Sequence, residues 1–255
     1  MRVGRILHDR KEAERRIAKY GYLYKVESPK DLLLGEENFE AAGEAHRKEC
    51  AIITDRGLFS GAVYSMLTPQ QQYPEMIRCY KELESGGFCS PETAQNEQGV
   101  REVLKRCKIN YYKKKTRFII TLPQGWDEQE IRSIIEAGVG HGKEGEQKAR
   151  RDISKRVLGF GPKTSSLFLR MCGTEHLIPI DSSVSEMLYL HGYPCEIPRT
   201  RVNRPTGPKQ RKTTIKGRRY LETEEFAFDL ADKYRVPGYI LQLAFWTKKS
   251  TYNAL

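Results

Sequence analysis

The chain has 255 residues, with 44 Lys and Arg against 33 Asp and Glu, and a formal net charge of +11. That length buries a good core in one domain or two subdomains, and the charge favours a polyanionic partner, nucleic acid before a membrane surface. No run of about 18 apolar residues is present to span a membrane, and no apolar stretch follows the basic N-terminus to act as a secretory signal. The six cysteines, Cys50, Cys79, Cys89, Cys107, Cys172 and Cys195, have no zinc or iron–sulfur spacing, and Asp, Glu and His form no metal-like cluster. Reduced thiols in a cytosolic protein are expected.

Residues 1–50 are charged, with a basic helix over Glu12–Tyr20 and a short apolar patch at Asp31–Leu34; they read as an N-terminal helical extension or cap. In 57–67, GLFSGAVYSML, the residues Leu58, Phe59, Ala62, Val63, Met66 and Leu67 have the i, i+3, i+4 spacing of a buried helix face. Pro69 makes Thr68 a poor helical residue and ends this helix, and Pro74 fits the first turn of the next, over about 74–84. A helix over 97–107 turns Val100, Val103, Leu104 and Cys107 inward. The stretch Tyr111–Phe118 opens another, basic on one side and aromatic on the other. Asp127 with Glu130 makes an N-cap pattern ahead of Ile131, Ile134 and Ile135. A helix over 144–157 leads into a Gly hairpin. Residues 196–219 form a basic loop insertion, broken by Pro and Gly, with the character of an extended segment. Two final helices fit about 223–234 and 237–248. No strand series is evident, so the chain reads as all-α.

The hairpin Val157-Leu158-Gly159-Phe160-Gly161-Pro162-Lys163-Thr164-Ser165, between two helices, is a helix-hairpin-helix signature spanning about 146–172. Its glycines let the backbone approach a ligand closely. The N–H groups that start the second helix form an anion site suited to a phosphate, and such a contact positions DNA without reading its sequence. Carbonyls of such a hairpin can also hold a monovalent cation. The plain alternative is an ordinary helical hairpin whose glycines serve packing. Lys163 lies at the positive end of the second helix, a place that suits an amine which attacks carbon while neutral. Asp181 follows 18 residues later, after the extended Leu177-Ile178-Pro179-Ile180. Its structural alternative is a helix N-cap, with Ser183 and Glu186 making a capping box.

The constellation resembles the helix-hairpin-helix DNA glycosylase superfamily, whose bifunctional members include endonuclease III and the 8-oxoguanine DNA glycosylases. Its pattern, G-h-G-x-K-[TV]-A and then h-[PA]-h-D-[TV]-H, stands here as Gly159-Phe160-Gly161-Pro162-Lys163-Thr164-Ser165 and Ile178-Pro179-Ile180-Asp181-Ser182-Ser183. Ser183 replaces the usual His and Ser165 the common Ala, and neither change removes a catalytic group. Upstream, Leu58–Leu67 followed by Thr68-Pro69-Gln70 is similar to the buried helix ending in L-S-x-[QN], whose amide fills the gap left by the extruded base. Gln70 takes that position, with Gln71 and Gln72 beside it; a solvated polar turn is the alternative. The likeness covers about 55–193 well and 220–248 loosely.

The resemblance implies two helical subdomains with the active site in the cleft between them, and a glycosylase domain over 51–255. It makes Lys163 the nucleophile and Asp181 the essential carboxylate, with DNA contacts at Gln70, Gly159, Phe160, Gly161 and Thr164. The base pocket would draw on Leu167 and on Phe245 or Trp246, although a Phe-Trp pair on a C-terminal helix is also common core. Only Cys195 follows Asp181, so the four-cysteine cluster of endonuclease III-like members is missing, which favours the short 8-oxoguanine branch. The expected enzyme is a DNA glycosylase and AP lyase acting on double-stranded DNA with a damaged base or AP site. No metal or redox cofactor and no membrane are involved, a monomer suffices, and the place is the cytoplasm and nucleoid, or the nucleus in a eukaryote. Two other readings remain: the same chemistry on an oxidised pyrimidine or uracil, and a non-catalytic helix-hairpin-helix DNA-binding module.

Overall fold

The structure is a computed structural model, and it describes residues 7–20, 26, 28–68, 73–195 and 217–253. Among these residues it is all-α, without a strand. The chain forms two compact units, one continuous over 47–179 and one discontinuous, made of 1–46 and 180–255. The expected boundary near residue 50 therefore lies close to the start of the continuous unit, and residues 1–46 cluster with the C-terminal segment. No described helix is long and apolar enough to cross a membrane.

In the discontinuous unit, α1 (Arg10–Tyr20) is followed by a 3-10 turn at Pro29–Leu32. Leu7, Ala13, Ile17, Val26 and Leu32 form a small core with Leu190 at the end of α9 (Ser182–Leu190). Arg16 covers the Tyr189 ring at 4.0 Å and donates to the carbonyls of Tyr189 and Tyr193 at 2.8 and 2.6 Å. It thereby satisfies carbonyls that a helix end leaves over. Helices α10 (Arg218–Tyr234) and α11 (Gly238–Asn253) pack on α9 and on each other. The start of α10 lies earlier than the expected 223, because Tyr220 is buried and Arg218 pairs with Glu222 one turn on at 2.7 Å. α11 continues past the expected 248.

The continuous unit contains the second half of α2 (Glu36–Leu67), which is broken by Gly57 at φ 85°, ψ 171°. Leu58, Phe59, Ala62, Val63, Met66 and Leu67 after this kink are all buried, as their spacing predicts. The part before the kink falls mostly in the stretch read as a helical extension, without bounds. Its apolar stripe is faint, with Ala42 and Glu49 its buried members and Ile52 and Ile53 partly buried against the core. Then come α3 (Tyr73–Ser85), α4 (Glu97–Arg106), α5 (Tyr112–Thr121), a 3-10 turn at Leu122–Gly125 and α6 (Glu128–Glu136). The Asn96 and Asp127 side chains each accept a backbone N–H at 3.0 Å and fix the starts of α4 and α6. Finally α7 (Gly142–Arg156) and α8 (Pro162–Met171) enclose the Gly hairpin, and their apolar sides join one core with α2 to α6.

Candidate active site

The hairpin between α7 and α8 is shaped by Gly159, at φ +92°, where a Cβ would stand 2.7 Å from the Phe118 ring. Gly161 is the extended N-cap of α8 and Pro162 its first residue. Ser165 N–H makes the first i→i−4 bond, to Gly161 C=O at 2.9 Å, so the N–H groups of Lys163 and Thr164 precede the helical ladder. Leu158 at the hairpin is 54% exposed. The expected contact residues Phe160 and Thr164 have buried side chains, and Phe160 meets Phe168 edge-on at 5.7 Å between centroids. Any contact that these two make with DNA is therefore through the backbone. Apolar packing claims the Phe160 ring because its neighbours Gly159 and Gly161 offer none.

α8 is buried almost all round. Ser165, at the position where Ala is common, hydrogen-bonds Ser154 of α7 at 2.7 Å, and Arg150 donates to Ser166 at 3.2 Å. These polar ties join the two hairpin helices. Leu167, at 1% exposure, lies inside the core of the continuous unit. The ionisable side chains of α8 are Lys163 and Arg170; Arg170 is fully buried, while Lys163 is half-buried.

Lys115 on α5 is a residue that the sequence pattern hid. Lys113 and Lys114 beside it are exposed, but Lys115 is buried and donates to the Leu67 carbonyl at 2.6 Å, at the C-terminal end of α2. Burial lowers its pKa to about 8, and the positive charge of Lys163 pushes in the same direction. A lysine run carries no sign of which member is turned inward. Thr68 hydrogen-bonds the Ser65 carbonyl at 2.8 Å, while Gln70, Gln71 and Gln72 fall outside the described residues, as does 196–216 of the basic loop.

Asp181 belongs to the discontinuous unit. It is the N-cap of α9: Oδ1 accepts the Val184 N–H at 3.0 Å. Ser183 lies inside the first turn of α9, so the suggested Ser183–Glu186 capping box does not start this helix. The other oxygen, Oδ2, accepts the indole N–H of Trp246 on α11 at 2.6 Å. Just before it, Ile180 N–H donates to the Tyr220 hydroxyl at 3.1 Å. Thus the cap reading and an oriented carboxylate coexist in one residue. Of the expected pocket pair on α11, Phe245 is 1% exposed and faces His191 at 6.1 Å between centroids, whereas Trp246 is only partly buried.

No group of three metal-ligating side chains is present among the described residues. The six cysteines are free, and burial raises the thiols, Cys89 and Cys195 to about 12, which keeps them protonated and poorly nucleophilic. A groove of about 540 Å³ between α3 and α4, lined by Arg78, Lys81, Phe88 and Arg106 among others, holds none of the expected site residues.

A family model described as 8-oxoguanine DNA glycosylase matches residues 43–236, a span that includes the hairpin, Lys163 and Asp181 but not Trp246. An 8-oxoguanine DNA glycosylase/AP lyase of Methanocaldococcus jannaschii is 26% identical over 188 residues, 74% of this chain and 78% of the relative. One of Saccharolobus solfataricus is 27% identical over 158 residues, 61% of this chain and 66% of the relative. Among solved structures, the 8-oxoguanine DNA glycosylase of M. jannaschii superposes with a TM-score of 0.60 at 21% identity, covering 92% of this chain and 91% of that one. The Thermotoga maritima 8-oxoguanine DNA glycosylase does so at 0.58 and 22% identity, covering 92% and 93%. These two likenesses concern the fold.

Proposed function

The chain belongs to the 8-oxoguanine DNA glycosylase family, and from that premise we propose that it is a bifunctional DNA glycosylase and AP lyase that removes 8-oxoguanine from double-stranded DNA. The observation that carries the residue assignment is the place of Lys163: a half-buried amine at the start of a helix whose other ionisable side chain is sealed in the core. The backbone of Gly159–Thr164 presents N–H groups to a phosphate, and the surplus positive charge draws in the polyanion.

The damaged nucleotide leaves the stack, which costs least at a weakened pair. Neutral Lys163 attacks C1′, and the bond from C1′ to the base breaks, with the base taking the electron pair and then a proton. Asp181 stabilises the positive charge that develops on the sugar. Opening of the C1′–O4′ bond leaves an iminium between Lys163 and C1′. Loss of a C2′ proton then expels the 3′ phosphate by β-elimination, and water releases the lysine. None of these steps exchanges electrons with a redox cofactor. One copy of the chain suffices, and a monovalent cation on the hairpin carbonyls would only brace the phosphate contact. The chain works where the DNA is.

The test is borohydride trapping on three duplexes carrying 8-oxoguanine opposite C, an AP site, or thymine glycol. The expected result is a covalent adduct on the first two that is lost in Lys163→Gln. An adduct on thymine glycol alone would replace the substrate, and none at all would leave a DNA-binding module. A pure binding hairpin needs neither Lys163 nor Asp181, which is why the enzymatic reading is preferred.

A further inference from the structure

Two N–H donors of different origin reach Asp181. Val184 N–H on Oδ1 is what any N-cap residue obtains, and it comes from the same helix turn. The donor on Oδ2 is the indole of Trp246, which arrives from α11 at 2.6 Å. That distance is well within hydrogen-bonding reach. An indole nitrogen donates only, so this bond requires a lone pair on Oδ2 and turns that oxygen towards Trp246. The cap holds Oδ1 from within the same helix turn, and the indole adds a second constraint, on Oδ2, from a distant helix.

Trp246 is held firmly enough to do this. Leu241, Leu243, Ala244 and Phe245 precede it on α11 and are all buried at 1% exposure or less. On the other side, Ile180 N–H is tied to the Tyr220 hydroxyl immediately before Asp181. Both partners therefore stand on braced backbone, and the indole edge, rather than its face, makes the contact.

We propose that Trp246 is a positioning residue whose indole N–H sets the orientation of the Asp181 carboxylate for base excision. This rests on the reading of Asp181 as the essential carboxylate. It differs from a stacking role against the extruded base, because stacking uses the ring face and the proposed role uses the N–H.

Trp246→Phe separates the two, since it keeps an aromatic face and removes the donor. In full-length protein, single-turnover excision from an 8-oxoguanine duplex should fall about tenfold, the size of one charge-assisted bond. Duplex affinity should stay nearly unchanged. The chain has two tryptophans, Trp126 and Trp246, so its proton–nitrogen spectrum shows two indole resonances, and Trp246→Phe assigns them. Asp181→Asn should move the Trp246 indole proton upfield and leave Trp126 in place. This readout needs neither activity nor a change at Trp246. An unmoved resonance, an unchanged excision rate in Trp246→Phe, or a loss confined to affinity would each overturn the proposal. Full excision by Asp181→Asn would instead overturn the role of Asp181 itself.

Discussion

Arg170 on α8 donates from Nη2 to Oε2 of Glu49 on α2, with the two side chains at 0% and 1% exposure. Tyr64 on the far side of the Gly57 kink donates its hydroxyl to the other oxygen of Glu49 at 3.0 Å. Burial raises the Glu49 carboxyl, and the Arg170 charge opposes this. The pair therefore ties both arms of the kinked helix to the helix that carries Lys163.

Breaking this pair from one side leaves a buried charge without its partner. Arg170→Met should destabilise the continuous unit by about 3–5 kcal/mol in denaturant unfolding, and the double variant Arg170→Met with Glu49→Leu should recover most of it. Equal losses in the single and double variants would mean that apolar packing of the Arg170 stem, and not the charge, holds α8.

Two substitutions of Asp181 separate its work as a cap from its proposed chemical role. Asn caps a helix as well as Asp, so Asp181→Asn should keep the helix start and lose base excision. Asp181→Ala should lose excision and also about 1 kcal/mol of stability with the cap. Unaltered excision in Asp181→Asn would reduce the residue to a cap.

The two hairpin glycines should respond differently. Gly159→Ala puts a Cβ 2.7 Å from the Phe118 ring at a positive φ, and should cost more than about 1 kcal/mol of stability. Gly161 has an extended backbone and open space for a Cβ. Gly161→Ala should leave the midpoint within about 0.5 kcal/mol and weaken duplex binding, because the added methyl stands where the proposed phosphate contact needs a close approach. Wild-type binding by Gly161→Ala would remove that close approach.

Lys115 sets a pH dependence of stability. Its folded pKa of about 8 lies below the ordinary lysine value of 10.5, so between these values the unfolded chain binds more protons. Stability from this group is then greatest above 10.5 and is lost as pH falls through about 8, by up to about 3 kcal/mol. Urea unfolding across that window should show the rise in wild type and a flatter curve in Lys115→Met. The same slope in both would assign the dependence to another group.

The short-range features were legible in the sequence. The buried face of 58–67, the Asp127 cap and the order helix, Gly hairpin, helix around Lys163 depend on residues within one or two turns of each other, where periodicity and turn chemistry act directly. The bounds of the first half of α2 were not legible, because its apolar stripe is too faint to mark them. Lys115 was hidden for the opposite reason. In a row of three lysines the sequence shows a basic face, but the helical turn at that position carries one of them into the core.

The sequence by itself determined the family and the all-α architecture, and it singled out Lys163 and Asp181 as the proposed catalytic pair, since spacing and residue type carry those. Only the tertiary structure decided what surrounds them: that Phe160 and Thr164 are turned inward, that Arg170 meets Glu49, and that Trp246 is hydrogen-bonded to Asp181. The last two follow from the packing of helices that are distant in the chain. A hydrogen-bond donor far along the sequence gives no local pattern until the fold brings it to an acceptor.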